Sequence, residues 1–172
     1  AESAAGDFPI EAVQTMDNVA REVEQDPTYR EIIEASRVVE HRSVAVGIVS
    51  AAREIAETTD IKAICCFTQS GTTALLTARE RPRVPIIAMT PLVNTARRLA
   101  LTWGTNCVLT GNMDRFKGAV VSAASAARAE GLATEKDQIV VTAGVPFNVP
   151  GSTNILRVEP CDERLIFNTD PD

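Results

Sequence analysis

Between Ser43 and Val158 the chain alternates apolar runs of strand length with segments of helical period, and this alternation restricts it to one class of fold. Ser43 to Glu57 reads as a helix, with Val46, Val49, Ile55 and Ala56 supplying its apolar positions. Ile61 to Phe67 is apolar except for Lys62, the pattern of a parallel strand covered on both faces. Gly71 to Arg79 follows as a helix, Val84 to Met89 as a second strand and Leu92 to Trp103 as a helix ending at Gly104. Asn106 to Leu109 gives a third strand, Phe116 to Ala129 an alanine-rich helix with Gly131 as its C-cap, and Gln138 to Thr142 a fourth strand. Ile155 to Val158 reads as a fifth. Strands alternating with helices of this length imply right-handed crossovers and a mainly parallel sheet. The expected fold is α/β, a three-layer α/β/α sandwich with a mainly parallel five-stranded sheet. The last connection, Val145 to Thr153, carries two prolines and a glycine but no helical pattern, so the fifth strand is expected to be antiparallel at an edge.

Upstream, Phe8 to Glu24 places Ile10, Val13, Met16, Ala20 and Val23 at helical spacing, with Pro9 suited to the first turn. Pro27 breaks that helix, and a short connecting helix over Tyr29, Ile32, Ile33 and Ala35 follows. These breaks divide the chain into residues 1–25, a linker over 26–42, the α/β domain over 43–160 and a tail over 161–172.

A chain of 172 residues, 45% hydrophobic, can bury one ordinary core. Its net charge of −6 comes without any Lys/Arg run, which argues against nucleic acid and anionic membranes as partners. No apolar stretch nears membrane-spanning length and the start lacks a leader pattern, so a soluble, unsecreted protein is expected. Cys65, Cys66, Cys107 and Cys161 show no metal-ligand spacing and read as reduced thiols. His41, the sole histidine, sits in the charged stretch Val38 to Arg42 and reads as a surface or linker residue.

In an open parallel sheet, ligands settle beyond the carboxyl ends of the strands. Those ends carry Thr68-Gln69-Ser70-Gly71-Thr72-Thr73, Thr90-Pro91, Gly111 and Ala143-Gly144. The first combines hydroxyls, a glycine and a helix N-terminus, which together outline a phosphate cradle. Taken alone, these residues favour the plainer reading in which Ser70 caps a helix and Gly71 permits a turn. The turn lacks both the Gly-Lys-Ser/Thr of a Walker loop and the spacing of a dinucleotide fingerprint. Cys65 and Cys66 point to opposite faces of one strand and read as core. Arg79, Arg81, Arg83, Arg97 and Arg98 could meet a phosphate, although ion pairing is the simpler role for each. No spacing of carboxylates suggests a metal cage or an acid/base pair, and no complete catalytic constellation is present.

Several stretches resemble the pyruvate kinase family. Glu2-Ser3-Ala4-Ala5-Gly6-Asp7-Phe8-Pro9-Ile10-Glu11-Ala12-Val13 is similar to the approach to that family's last barrel helix. Phe67 to Ala74, Arg81 to Pro91, Ala96 to Leu101, and Gly151-Ser152-Thr153-Asn154 with Leu156-Arg157-Val158 resemble its C-terminal domain in order and spacing. The resemblance implies that residues 1–25 are a remnant of the catalytic barrel, with no catalytic or metal-binding residue in this chain. It implies a parent enzyme that transfers a phosphoryl group from phosphoenolpyruvate to ADP with Mg2+ and K+, as a cytoplasmic homo-oligomer, dimer or tetramer. The implied partners are the rest of that chain, a second copy and a phosphorylated small-molecule effector. The implied effector phosphate site is Thr68, Gln69, Ser70, Gly71, Thr72 and Thr73, with Val145, Phe147, Asn148, Gly151, Ser152 and Thr153 as an effector loop. The stretch 145–150 has no basic residue, and Arg115 and Lys117 only loosely match the arginine that grips a second phosphate in bisphosphate-regulated relatives. A monophosphorylated sugar or nucleotide is therefore the expected effector. The alternatives are a purely structural assembly module that binds no effector, and an unrelated enzyme built on Cys65 or Cys66.

Overall fold

A computed structural model describes residues 2–36, 43–147, 149 and 152–168; His41, Asn148 and Gly151 lie outside the described residues. The chain divides into two compact units, Ala1–Glu40 and His41–Asp172.

The first unit is helical, with α1 over Glu2–Ala5, α2 over Pro9–Gln25 and α3 over Pro27–Ala35. Pro9 occupies the first turn of α2, where the missing amide costs nothing. The backbone leaves helical geometry at Asp26, whose carboxylate accepts from the Thr28 amide at 2.7 Å and so caps α3. Although α2 is amphipathic, none of its residues is buried, and Ile10 is 72% exposed. α1 has no counterpart in the sequence expectation, because four residues are too few to show a period.

The second unit begins with α4 over Val44–Thr58, capped by the Ser43 hydroxyl accepting from the Val46 amide at 3.2 Å. Then come β1 (Ile61–Phe67), α5 (Thr72–Arg79), β2 (Ile86–Thr90), α6 (Val93–Leu99), β3 (Thr105–Leu109), α7 (Phe116–Ala129), β4 (Gln138–Gly144), β5 (Thr153–Pro160) and α8 (Glu163–Asn168). The strands form one sheet in the order β3-β2-β1-β4-β5. All neighbours are parallel except β4 and β5, which pair antiparallel. The α/β sandwich expected from the alternating pattern is thus the observed architecture, down to its antiparallel edge.

Two expectations need correction. The helix read over Leu92 to Trp103 stops at Leu99, and the chain then turns through Thr102, whose amide donates to the Leu99 carbonyl at 2.8 Å, to Gly104 at φ 61°. Leu101, which extends the apolar pattern, is 95% exposed and holds no helix against the sheet. The tail also contains α8, anchored by the buried Ile166 and by Arg128, which pairs with Glu163 at 2.8 Å.

β1 divides the core. Cys65 joins a cluster with Ile87, Val141 and the small face of α7, Ala119, Ala123 and Ala127, whereas Cys66 joins Ile64, Ile86 and Val140 beneath Ala52 of α4, Ala74 of α5 and Leu99 of α6. Successive side chains on a strand point to opposite faces, so these neighbouring thiols lie in different layers. Alanine on α7 and at the contacts of α4 and α5 lets backbone approach backbone closely, which suits helices laid flat on a sheet.

Candidate functional site

The strand order places a topological switch at β1 and β4. β1 continues into α5 on one face, and the connection from β3 crosses the opposite face through α7 to reach β4. A crevice is required outside the carboxyl ends of two adjacent strands whose connections diverge in this way. It is present, and encloses about 550 Å³ of empty space, part of it open to solvent. Its walls come from Phe67 to Ser70 with Thr72 and Thr73 after β1, Met89 and Pro91 at β2, and Thr110, Gly111 and Met113 beyond β3. Gly144, Phe147, Val149, Ser152 and Thr153, between β4 and β5, close the far side.

The turn after β1 is held from within. Gly71 adopts φ 89°, a left-handed conformation open to glycine, and its amide donates to Thr68 Oγ1 at 2.9 Å. A Cβ at Gly71 would also lie 3.3 Å from Leu99 Cδ2. Helix α6 grips the same turn from behind: Thr95 Oγ1 donates to the Gln69 carbonyl at 2.7 Å and the Arg98 guanidinium donates to the Ser70 carbonyl. With the Gln69 and Ser70 carbonyls engaged by α6, the turn lines the crevice with hydroxyls and leads into the first amides of α5, of which that of Thr72 donates to Ser70 Oγ at 3.4 Å. Those amides have no partner within a helix.

The hydroxyls form two pairs. Ser70 Oγ lies 2.9 Å from Thr72 Oγ1, and Thr73 Oγ1 lies 2.6 Å from Thr153 Oγ1. Two hydroxyls that share one hydrogen bond spend one of their two protons on it, so each pair retains a proton to donate. Thr68, which accepts from Gly71, also keeps its own. The turn therefore offers donors without fixed positive charge. On the opposite wall the surface is apolar: Phe67 and Phe147 meet edge to face at 6.4 Å and 85°, with Met89 and Met113 nearby. Ser152 spends its proton on the Val149 carbonyl at 2.7 Å. Gly144 is required here for space, since a Cβ would come within 2.9 Å of the Ser152 backbone.

A family model described as the pyruvate kinase α/β domain matches residues 47–159. The chain belongs to the pyruvate kinase family. It is 40% identical over 158 residues to a pyruvate kinase of Methylorubrum extorquens and 42% identical over 158 residues to one of Agrobacterium vitis, covering 92% of this chain and 33% of each relative. A crystal structure of a pyruvate kinase from Cryptosporidium parvum superposes with a TM-score of 0.79 at 28% identity, covering 93% of this chain and 32% of that one. The pyruvate kinase of the same organism in complex with ADP gives 0.76 at 30% identity. The chain thus spans about a third of the length of the pyruvate kinases it matches.

Within this pyruvate kinase domain, the crevice brings together Thr68, Gln69, Ser70, Thr72 and Thr73 from the turn and Phe147, Ser152 and Thr153 from the loop. Gly71 supports the turn from behind, and Val145 faces a neighbouring cavity. Sequence reasoning missed Met89, Thr110, Met113 and Val149 in the walls and Thr95 as a clamp, all of which depend on how the strands are ordered. Arg83 pairs with Glu57 at 2.8 Å and Arg81 stacks over Trp103 at 4.4 Å, so neither faces the crevice. Burial drives the Cys65 and Cys66 thiols above their ordinary range, and Cys65 most strongly, leaving them protonated and inert rather than nucleophilic. Among the described residues no cluster of His, Cys, Asp or Glu is placed to hold a metal ion, and no helix is long and apolar enough to cross a membrane.

Proposed function

We propose that this chain is the C-terminal effector-binding and assembly region of a pyruvate kinase, and that the crevice holds the phosphate of a small phosphorylated effector. On this reading Thr68, one hydroxyl of the Ser70–Thr72 pair and one of the Thr73–Thr153 pair donate to the phosphate at the N-terminus of α5, while Gln69 and Gly71 set the shape of the turn. The observation that carries the reading is the set of hydroxyl protons left over by the Ser70–Thr72 and Thr73–Thr153 pairs, facing a crevice at the sheet's switch point. A tetrahedral oxyanion takes several convergent donors and needs no cation when a helix N-terminus is added. The loop residues Phe147, Ser152 and Thr153 supply the wall against which the rest of the effector rests.

In the parent enzyme the phosphoryl group passes from phosphoenolpyruvate to ADP, giving pyruvate and ATP. Among the described residues no cluster of His, Cys, Asp or Glu is placed to hold a metal ion, and we assign the Mg2+ and K+ of that chemistry, and the reaction, to the rest of the enzyme. Residues 1–25 are then a rim helix of the catalytic barrel, 26–42 a connector, 43–160 the regulatory domain and 161–172 a tail. The exposed apolar stripe of α2, Ile10, Val13 and Met16, supports this assignment, because a water-facing stripe of that kind is the side a barrel helix turns to its neighbours. Assembly into a cytoplasmic dimer or tetramer belongs to the same proposal.

Thermal unfolding of the 172-residue chain in the presence of ribose 5-phosphate, AMP and inorganic phosphate tests it. A ligand at 100 times its Kd stabilises the folded state by about 2.7 kcal/mol. The expected result is a rise in Tm with at least one of the two esters that disappears in Ser70→Asp, whose carboxylate would repel the phosphate. Absence of any rise overturns effector binding and leaves an assembly module.

A further inference from the structure

Beside the crevice lies a second cavity, lined by Asp114, Phe116, Val145, Pro146 and Phe147, with about 600 Å³ of empty space that includes open solvent. Phe147 lines both, so one ligand can rest its body on that ring and reach from the hydroxyl turn into the second cavity. The two ends differ in character. At the crevice, uncharged donors and a helix N-terminus attract an anion, whereas among the described residues lining the second cavity the ionisable group is the Asp114 carboxylate.

Two cations near the second cavity have partners of their own. The Arg157 guanidinium lies 5.6 Å over the outer ring, Phe116, and is held by Glu159 at 2.8 Å; the Lys117 ammonium lies 5.1 Å over Phe167. Arg115, next to Asp114 in sequence, lines neither cavity. A group arriving beside Phe147 therefore meets the Asp114 carboxylate, with no cation among the described residues of the cavity wall and the Arg157 guanidinium held by Glu159 over the outer ring.

We infer that Asp114 and Phe147 form a subsite that selects the effector's far end: a hydroxyl-bearing or amine-bearing group is accepted and a second phosphate is repelled. This rests on the phosphate reading of the Thr68–Thr73 turn and extends it from one end of the ligand to the other. A carboxylate oxygen accepts hydrogen bonds from hydroxyl or ammonium groups but has none to donate to a phosphate. At a separation of several ångströms near the surface, repulsion between a carboxylate and a phosphate dianion weakens binding by about tenfold.

Fructose 6-phosphate and fructose 1,6-bisphosphate, which differ by that second phosphate, provide the test. Calorimetric titration of the 172-residue chain is expected to give a Kd at least about tenfold lower for the monophosphate. Asp114→Asn should narrow the difference and Asp114→Lys should reverse it. Asp114 is exposed, so both variants should keep the fold, and Ser70→Asp should abolish binding of both sugars. Equal or tighter binding of the bisphosphate by the unaltered chain, or an unchanged ratio in both Asp114 variants, overturns the inference while the Ser70→Asp result upholds the phosphate turn. Failure of the unaltered chain to bind either sugar or inorganic phosphate overturns the turn's role, and the subsite with it.

Discussion

Thr73 Oγ1 and Thr153 Oγ1 lie 2.6 Å apart in the buried wall of the crevice, although 80 residues separate them in sequence. Their hydrogen bond ties the first turn of α5 to the start of the antiparallel edge strand. Replacing one partner strands the other hydroxyl in the interior, which costs about 1–3 kcal/mol, whereas replacing both with a residue of the same shape is nearly neutral. Thr73→Val and Thr153→Val should each lower stability in urea, and the double variant should recover much of the loss. Additive losses would show that the two hydroxyls are not coupled.

The clamp from α6 can be separated from the cradle it supports. Thr95→Val and Arg98→Ala remove bonds to the Gln69 and Ser70 carbonyls without touching any hydroxyl that faces the crevice. Loss of one such bond, worth about 1 kcal/mol, should weaken phosphate-ester binding about fivefold by calorimetry. Unchanged affinity in both variants would mean that the turn holds its shape unaided.

Two glycines should respond differently to alanine. At Gly71 the left-handed backbone costs an L-residue about 1–2 kcal/mol, and the new methyl presses on the flexible end of Leu99. At Gly144 the methyl would meet the Ser152 backbone at 2.9 Å, which cannot step aside without shifting the start of β5. Gly144→Ala should therefore lower Tm more than Gly71→Ala does.

The thiols of Cys65 and Cys66 are raised above the ordinary 9.0 chiefly by desolvation, so the folded state holds protons that the unfolded chain gives up first. Their contribution to stability is complete below about pH 9, the unfolded value, and is lost as pH climbs from there through the raised folded values. Urea stability should fall as pH rises above about 9, and Cys65→Ala with Cys66→Ala should flatten that slope while lowering stability at pH 8. Native-state alkylation should label Cys107, which is only partly buried, well before either.

How far the sequence discloses this molecule depends on the range of the interaction concerned. β1 and α7 are legible to the residue, because an apolar run between polar flanks and an alanine face ending at Gly131 are local signals. The end of α6 is not, since Leu101 and Trp103 prolong an apolar pattern that only the missing sheet contact contradicts. α8 is equally hidden: six residues hold little periodicity, and it is fixed by Arg128, 35 residues away. The hydroxyl turn announces its composition, but its clamps, its apolar wall and the carboxylate of Asp114 arrive from other strands and appear only when the sheet order is known.

The crevice draws its walls from Phe67 through Thr153, and the strand that pairs with the last of them, β4, sits between β1 and β5. During synthesis the hydroxyl turn emerges from the ribosome 80 residues before Thr153, the partner of its Thr73, so a nascent chain that stops short of β5 carries the turn without the Ser152 and Thr153 side of the crevice. On the proposed reading, ligand capture must wait for β5: a phosphate ester can stabilise the domain only once Thr153 has joined the turn, and cannot act as a template before that.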